Sequence, residues 1–123
     1  MGRQGELIFG VLANYCFNQE NVMSEIVRKG DVTIVQPGKD VVASMAEDFK
    51  KDLLSAINTY EGKVVIDLAG VEMVDSVGIG VIIAAHNTLS QAGRSLKVIN
   101  VVKDVFGLFS TMRLNRRFTV EEA

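Results

Sequence analysis

Hydrophobic and polar residues follow regular patterns from Ser24 onward, and the first pattern predicts a β-hairpin. The stretches Glu25–Arg28 and Val32–Val35 are rich in isoleucine and valine, which favour strands. Lys29-Gly30-Asp31 lies between them and is typical of a tight turn. Pro37-Gly38-Lys39-Asp40 indicates a loop. We therefore expect two antiparallel strands and then a connection to a helix.

The next pattern predicts an amphipathic helix that begins at Ser44 and ends before Gly62. Ser44-Met45-Ala46-Glu47 matches a capping box, in which serine and glutamate side chains satisfy each other's backbone donors. Apolar residues then recur near the helical repeat, which predicts one buried face. These apolar positions are Met45, Phe49, Leu53, Ile57 and Tyr60.

The rest of the chain alternates between apolar strands and helical segments. Lys63–Leu68 is continuously apolar at its centre, which predicts a strand buried on both faces in the middle of a sheet. The remaining predicted elements are a helix from Ser76 to near Gly93, a strand at Leu96–Val101, a helix marked by Val105, Leu108, Phe109 and Met112, and a strand at Phe118–Val120. The order β-β-α-β-α-β-α-β predicts an α/β fold with a single mixed β-sheet covered by helices.

Composition and charge exclude several classes of function. The chain has 123 residues, 48% of them apolar, and a net charge of −2, which fits one ordinary domain without a basic stripe for nucleic acid. Cys16 and His86 are the only residues of their types, so no disulfide and no cysteine or histidine metal cluster is expected. No glycine-rich phosphate loop is present. We therefore expect no metal and no cofactor.

Residues 1–22 precede the regular pattern, and we assign them as an extension of unknown role ahead of a domain at residues 23–123. Their apolar run, Leu7–Ala13, is shorter than the roughly 20 residues of a membrane-spanning helix. It also lacks a signal-peptide cleavage site. The sequence thus predicts a cytoplasmic protein without membrane insertion. Met23 is an alternative translation start, which intact-mass measurement of the native protein would test.

The most informative motif is Asp75-Ser76-Val77-Gly78-Ile79-Gly80, at a predicted strand-to-helix turn. A catalytic serine there would need the hydrolase pattern Gly-x-Ser-x-Gly, but the position two before Ser76 is Val74. It would also need a base within hydrogen-bond reach. His86 lies ten residues along the same predicted helix, about 15 Å away at the standard rise. We therefore expect no enzyme.

Two interpretations of Ser76 remain open on the residues alone. Asp75 or Ser76 can simply cap the helix, which is common and contributes about 1 kcal/mol. Alternatively, Ser76 is a phosphorylation site, since a helix N-terminus tolerates the added negative charge. Gly78 and Gly80 are unfavourable in a helix, and we expect them to leave the backbone open to an approaching kinase. Small-ligand binding at the turn has weaker support.

The motif resembles the signature of the STAS domain of bacterial anti-sigma factor antagonists. The resemblance covers about residues 24–120. Besides the motif itself, it rests on Val65-Ile66-Asp67-Leu68, Gly38-Lys39-Asp40 with Ser44, Ala92-Gly93, Leu96-Lys97-Val98-Ile99-Asn100 and the ending from Met112-Arg113-Leu114 to Phe118.

The resemblance implies a partner switch without catalysis of its own. Such a protein binds an anti-sigma factor that is also a serine kinase of the histidine-kinase-like ATPase fold, and it releases this partner once Ser76 is phosphorylated. A PP2C-type serine phosphatase reverses the modification. The resemblance also implies a monomer or weak dimer. The implied partner-binding residues are Asp40, Asp75, Ser76, Val77, Gly78, Ile79, Gly80 and Val81.

Two features qualify this expectation. Many members of the family have a second serine after the acceptor, where this chain has Val77. STAS domains also serve as non-switching subunits of larger signalling or lipid-transport assemblies, and in that alternative Ser76 is only a helix cap.

Overall fold

The five strands within residues 24–123 form one sheet in the order in which they occur along the chain. The structure is a computed structural model that describes residues 24–123. Its elements are β1 (Glu25–Lys29), β2 (Val32–Gln36), α1 (Ala43–Thr59), β3 (Lys63–Asp67), α2 (Ser76–Gln91), β4 (Leu96–Val101), α3 (Lys103–Thr111), a 3₁₀ turn (Leu114–Arg116) and β5 (Thr119–Glu122). β1 and β2 pair antiparallel and all other neighbours pair parallel. The expected α/β fold with a single mixed sheet is confirmed.

The three described helices lie on one face of the sheet, which we call the helix face. Right-handed crossovers between strands that always step in the same direction place every helix on the same side. α1 contacts α2. The rings of His86 on α2 and Phe109 on α3 both pack against Phe118, with centroids 5.3 and 6.5 Å from the Phe118 ring. The core lies between this helix layer and the inward strand residues, such as Val64 and Ile66.

The opposite face of the sheet lies outside the core, and we call it the open face. Register pairs Val27 with Ile34 and Ile34 with Val65, so these three side chains form a row across three strands. Val65 is only half-buried, whereas its neighbours Val64 and Ile66 are fully buried. The expectation that β3 is buried on both faces is therefore wrong among the described elements. The physical reason is the sequential strand order, which places none of the described helices on the second face.

Arg94 connects the end of α1 to the start of β3. Its guanidinium donates three hydrogen bonds to backbone carbonyls, at 2.9 Å to Ile57, 2.8 Å to Tyr60 and 2.8 Å to Gly62. The Ile57 carbonyl is one that the end of α1 leaves without an intrahelical partner, and Tyr60 and Gly62 lie in the connection that follows. Arg94 follows α2, so this contact also holds α1 and α2 in place relative to each other.

The third helix differs from its sequence prediction in its outer residues. Val105 and Phe109 are buried as expected. Leu108 and Met112 are 36% and 44% exposed, so they mark the helix without joining its buried face. The last strand is Thr119–Glu122 rather than Phe118–Val120, and Phe118 instead packs among the helices.

Candidate functional site

Two loops meet where β2 and β3 end, and they form the surface around the serine motif. Val41 and Val74 pair as an isolated parallel bridge. The Val41 amide donates to the Met73 carbonyl at 3.0 Å, and the Asp75 amide donates to the Val41 carbonyl at 3.3 Å. Since the carboxyl ends of parallel strands share one edge of the sheet, this is where the fold places a binding surface.

Asp40 holds one loop against the other. Its Oδ1 atom accepts hydrogen bonds from the Glu72 amide at 2.9 Å and the Met73 amide at 3.2 Å. Asp40 is half-buried, so part of the side chain stays accessible beside the motif. The expected partner-binding residue therefore also positions the loop that leads into Asp75.

Asp75 caps two helices at once. Its Oδ1 atom accepts from the Gly78 amide at 2.9 Å, in the first turn of α2. Its Oδ2 atom accepts from the amide of Ala43, the first residue of α1, at 2.8 Å. The Gly78 amide, and then the Ala43 amide, lower the pKa of Asp75, while partial desolvation opposes them. The carboxylate is thus held ionised between two helix N-termini.

The capping box predicted at Ser44 is wrong. α1 begins at Ala43, and Val42 at its N-cap position makes no side-chain hydrogen bond to the helix. Ser44 lies inside the first turn and is exposed. The acceptor that Ser44 was expected to supply comes instead from Asp75, 32 residues along the chain. A local sequence pattern cannot reveal a cap that another loop provides.

Ser76 is the first residue of α2, and its side chain is exposed. Asp75 performs the capping, so the Ser76 hydroxyl has no structural task in the described part of the chain. No hydrogen bond joins the Ser76 hydroxyl to any residue within 24–123. A hydroxyl that is both exposed and uncommitted at a helix N-terminus can be reached by another protein's active site.

The two glycines of the motif have different surroundings. Gly78 is buried, and a β-carbon there would collide with the Val41 carbonyl and touch the side chains of Val41 and Val74. Gly80 is exposed and would accept a β-carbon in open space. The expectation that both glycines leave the backbone open is therefore wrong for Gly78, which instead lets the loop before α1 pack against α2.

The other motif residues divide between core and surface in the same way. Ile79 is 1% exposed and belongs to the core, and Val81 is partly buried against it. Val77 is 48% exposed. Of the expected partner-binding residues, Val77, Gly80 and Ser76 point to the surface, whereas Gly78 and Ile79 shape it from below.

The sequence reasoning missed Met73, which is 56% exposed beside the motif. Val74 pairs with Val41 and its side chain is buried. Met73, the residue before it, therefore faces outward. A groove of about 460 Å³ lies next to it and is lined by Lys39, Asp40, Met45 and Glu72 among others. Exposed methionine adapts to different contact surfaces. The sequence contains no local signal for Met73, because its exposure depends on the pairing of Val74 with Val41.

The described residues also bear on a metal site, on a role for His86 and on a membrane-spanning helix. Between Ser24 and Ala123, no three histidine, cysteine, aspartate or glutamate side chains come together as a metal site. His86 packs on Phe118 in the helix layer. No helix within residues 24–123 has the length and apolar character needed to cross a membrane.

The fold and the motif together define an α/β domain whose serine begins a helix at the carboxyl edge of the sheet. The STAS domain model matches residues 23–123, so the chain belongs to the STAS domain family.

Three solved structures show how widely this fold occurs. A candidate anti-sigma factor antagonist from Thermotoga maritima is similar with a TM-score of 0.78 and 24% identity, over 86% of this chain and 92% of that one. Phosphorylated SpoIIAA from Bacillus is similar with a TM-score of 0.64 and 11% identity, over 79% and 89% of the two chains. The murine anion transporter Slc26a9 is similar with a TM-score of 0.67 and 18% identity, over 79% of this chain and 17% of that one. At these identities the likeness shows a shared fold.

Proposed function

We propose that the chain is an anti-sigma factor antagonist that acts as a phosphorylation-gated partner switch. With a free Ser76 hydroxyl it binds an anti-sigma factor that is also a serine kinase, and with a phosphate on Ser76 it releases that partner. The observation that carries the proposal is that Asp75 and Ser76 have separate roles in the motif. Asp75 caps both helices, while Ser76 is exposed and its hydroxyl is hydrogen-bonded to no residue within 24–123.

The proposed contact surface joins the exposed parts of both loops. Met73 and Val77 are exposed and supply apolar area near Ser76. Asp40 and the groove beside it extend the surface toward the first turn of α1. Apolar side chains at the centre of a polar rim are the usual arrangement of a protein-binding patch. Gly80 and the partly buried Val81 continue it along α2.

Phosphorylation would change this surface without any catalytic group of the chain itself. The kinase transfers the γ-phosphoryl group of ATP to Ser76 Oγ, so an O–P bond forms there, the bond to ADP breaks, and the hydroxyl proton leaves to the kinase or to water. The product carries nearly two negative charges. Because Met73 and Val77 must be dehydrated when a partner binds, a dianion on the same surface opposes binding. A PP2C-type phosphatase would restore the hydroxyl.

This function assigns residues 23–123 as the working domain and places the chain in the cytoplasm, where an ATP-dependent kinase acts. It requires no cofactor, and it makes the chain a substrate and ligand rather than an enzyme.

Phosphorylation of the purified chain by the kinase-type ATPase that co-purifies with it tests the site. We expect one added phosphate by intact mass in the wild type and none in Ser76→Ala. Ser44→Ala is a matched control, since Ser44 is also an exposed serine in the first turn of a helix at this surface. Labelling that persists in Ser76→Ala would refute the assignment of the acceptor.

Calorimetry tests the gating. Ser76→Asp introduces a carboxylate on the proposed contact surface, and we expect the affinity for the kinase to fall by about tenfold or more. Ser44→Asp, which adds the same charge at the other helix, should change it much less. Equal affinities for wild type and Ser76→Asp would argue against gating by charge.

The second candidate is a non-switching subunit of a larger assembly, and the likeness to a domain-sized part of Slc26a9 favours it. In that role the same surface would bind its partner whether or not Ser76 is modified. Co-purification separates the two candidates, because a kinase-type ATPase supports switching and a membrane transporter or a shell of related STAS proteins supports the assembly.

A further inference from the structure

The solvent side of α2 differs from the other two described helices in carrying no charge. None of its 16 residues is aspartate, glutamate, lysine or arginine, whereas α1 and α3 both contain such residues. In its first three turns the exposed residues are Ser76, Val77, Gly80 and Ala84. Surface helices normally present charged and polar side chains to water, and the central part of a protein interface is depleted of charge. This side of α2 is continuous with the proposed contact surface and shares the composition of an interface.

Gly80 is the residue on this side that the packing of the domain does not require. No described atom lies within 4 Å of the position that a β-carbon at Gly80 would take. Gly78, by contrast, is required because a β-carbon there would collide with the Val41 carbonyl. Glycine is one of the least favourable residues in a helix interior. The destabilising effect of Gly80 on α2 is thus not offset by any close packing within residues 24–123.

A second exposed helical glycine shows which of these features is informative. Gly107 in α3 also has no described atom within 4 Å of a β-carbon. Residues three and four positions apart are neighbours on a helix surface, and for Gly107 they include Lys103, Asp104 and Thr111, which are exposed and hydrated. The exposed neighbours of Gly80 at this spacing are the uncharged residues named above. Open space at Gly80 is therefore combined with surroundings that lose little hydration when another protein covers them.

The missing side chain at Gly80 leaves the backbone of α2 bare at this point. Glycine permits another main chain to approach more closely than any residue with a β-carbon does. Ser76 lies four residues earlier and therefore on the same side of the helix, one turn away. A phosphate on Ser76 Oγ would stand beside such a close contact and would hold the two main chains apart.

We propose that the kinase partner places a segment of its main chain directly against Gly80, so that the absence of a side chain there determines which partner surface fits. The inference rests on the proposed function and deepens it, because steric exclusion at α2 is added to charge as a cause of partner release. Gly80 is thus a specificity-determining residue of the interface, whereas Gly78 maintains the fold beneath it.

Calorimetry with the kinase-type ATPase that co-purifies with the full-length chain tests this contact. Gly80→Ala should weaken binding by about tenfold, and Gly80→Leu should weaken it further, because each added carbon must fit into a closely packed contact. Alanine favours helix more than glycine does, so a loss of affinity in Gly80→Ala cannot come from unfolding. Gly107→Ala is the matched control and should bind as the wild type does. Wild-type affinity in both Gly80 variants would overturn the proposal.

Steady-state phosphorylation separates a binding contact from an effect on the transfer step. Gly80→Ala should raise KM and leave kcat close to the wild-type value. A lower kcat at unchanged KM would mean that the glycine instead eases opening of the first turns of α2, and it would overturn the proposal. If the wild type is released on phosphorylation of Ser76 while Gly80→Ala binds equally well, only this inference fails. If the wild type is neither bound nor phosphorylated, the proposed function fails with it.

Sedimentation velocity of the full-length chain alone tests a second copy of the chain as the competing occupant. We expect the wild type and Gly80→Leu to sediment alike at the concentrations used for calorimetry. A dimer of the wild type that Gly80→Leu abolishes would mean that the uncharged side of α2 pairs with itself, and it would overturn the assignment of this contact to the kinase.

Discussion

At the scale of single residues, the site depends on one carboxylate that serves two helices. The Asp75 carboxylate accepts hydrogen bonds from the amides of Gly78 and Ala43, so its side chain joins the first turns of α1 and α2. Ser76 lies next to that junction without taking part in it. The exposed hydroxyl can therefore be modified while the geometry that presents it stays fixed.

Replacing Asp75 by asparagine should make stability less dependent on pH in the acid range. The hydrogen bonds from the Gly78 and Ala43 amides hold the folded-state pKa of Asp75 below its ordinary value. Its contribution to stability is therefore complete above the unfolded pKa and is lost as pH falls through the folded pKa. Denaturant midpoints should fall less steeply below about pH 4 in Asp75→Asn than in wild type, and they should be lower at pH 7.

Asp104→Asn is the control for this measurement. Asp104 is in the first turn of α3, but no side-chain hydrogen bond caps that helix. It should retain the acid slope of the wild type. An unchanged slope in Asp75→Asn would mean that the carboxylate does not hold the two helices.

The two glycines of the motif should respond to alanine in opposite directions. Gly80→Ala adds a methyl group in open space and should raise the free energy of unfolding by up to about 1 kcal/mol, as glycine disfavours helix. Gly78→Ala forces a methyl group against the Val41 carbonyl and should lower it by roughly 1–3 kcal/mol. Urea unfolding of both variants measures the difference, and equal effects would contradict the close packing at Gly78.

At the scale of elements, most of the fold could be predicted because the spacing of apolar residues differs between strands and helices and is visible within each segment. The three helices and five strands within residues 24–123 were all predicted, as was their order along the chain. What failed depends on contacts between distant residues. Ser44 has the local signature of a cap, but Asp75 takes that role from another loop. The apolar run through Val65 indicates burial on both faces of β3. Which face the helices cover, however, depends on the order of the strands in the sheet and not on the sequence of β3.

The candidate site was predictable to the same extent. Ser76 stands out because its motif lies between a strand pattern and a helix pattern. The inward packing of Gly78 and the exposure of Met73 follow from the bridge between Val41 and Val74, and no pattern within either loop specifies that pairing.

The end of α1 provides a prediction at this scale. Arg94→Ala leaves the carbonyls of Ile57, Tyr60 and Gly62 without their donor and should lower the free energy of unfolding by about 2–3 kcal/mol. Arg94→Lys should recover part of the loss, because one ammonium cannot reach all three acceptors in the same geometry. Arg116→Ala, at an exposed position, should stay within about 0.5 kcal/mol of wild type.

At the scale of the whole molecule, the proposed switch works at the surface of an unchanged fold. Ser76 is exposed and lies outside the core that joins the sheet to its helices. A phosphate there also meets the positive end of the α2 dipole. Partner release therefore needs no rearrangement of the domain.

Phosphorylation of Ser76 should leave stability unchanged or raise it by up to about 1 kcal/mol. Denaturation of the modified and unmodified chains measures this, and amide chemical-shift changes should be confined to the two loops and the first turn of α2. A clear loss of stability, or shift changes spread through β4 and α3, would show that the phosphate acts by disturbing the fold.

The sequential strand order also determines how this domain can assemble. From β2 onward, each described strand lies beside the strand that precedes it in the chain, so each new strand and helix can add to structure that is already in place. Contacts between elements close in sequence favour rapid folding. During synthesis on the ribosome, which proceeds from the N-terminus, no strand of this sheet has to wait exposed for a neighbour made much later, and the nascent chain is spared a long interval in which its strands could aggregate.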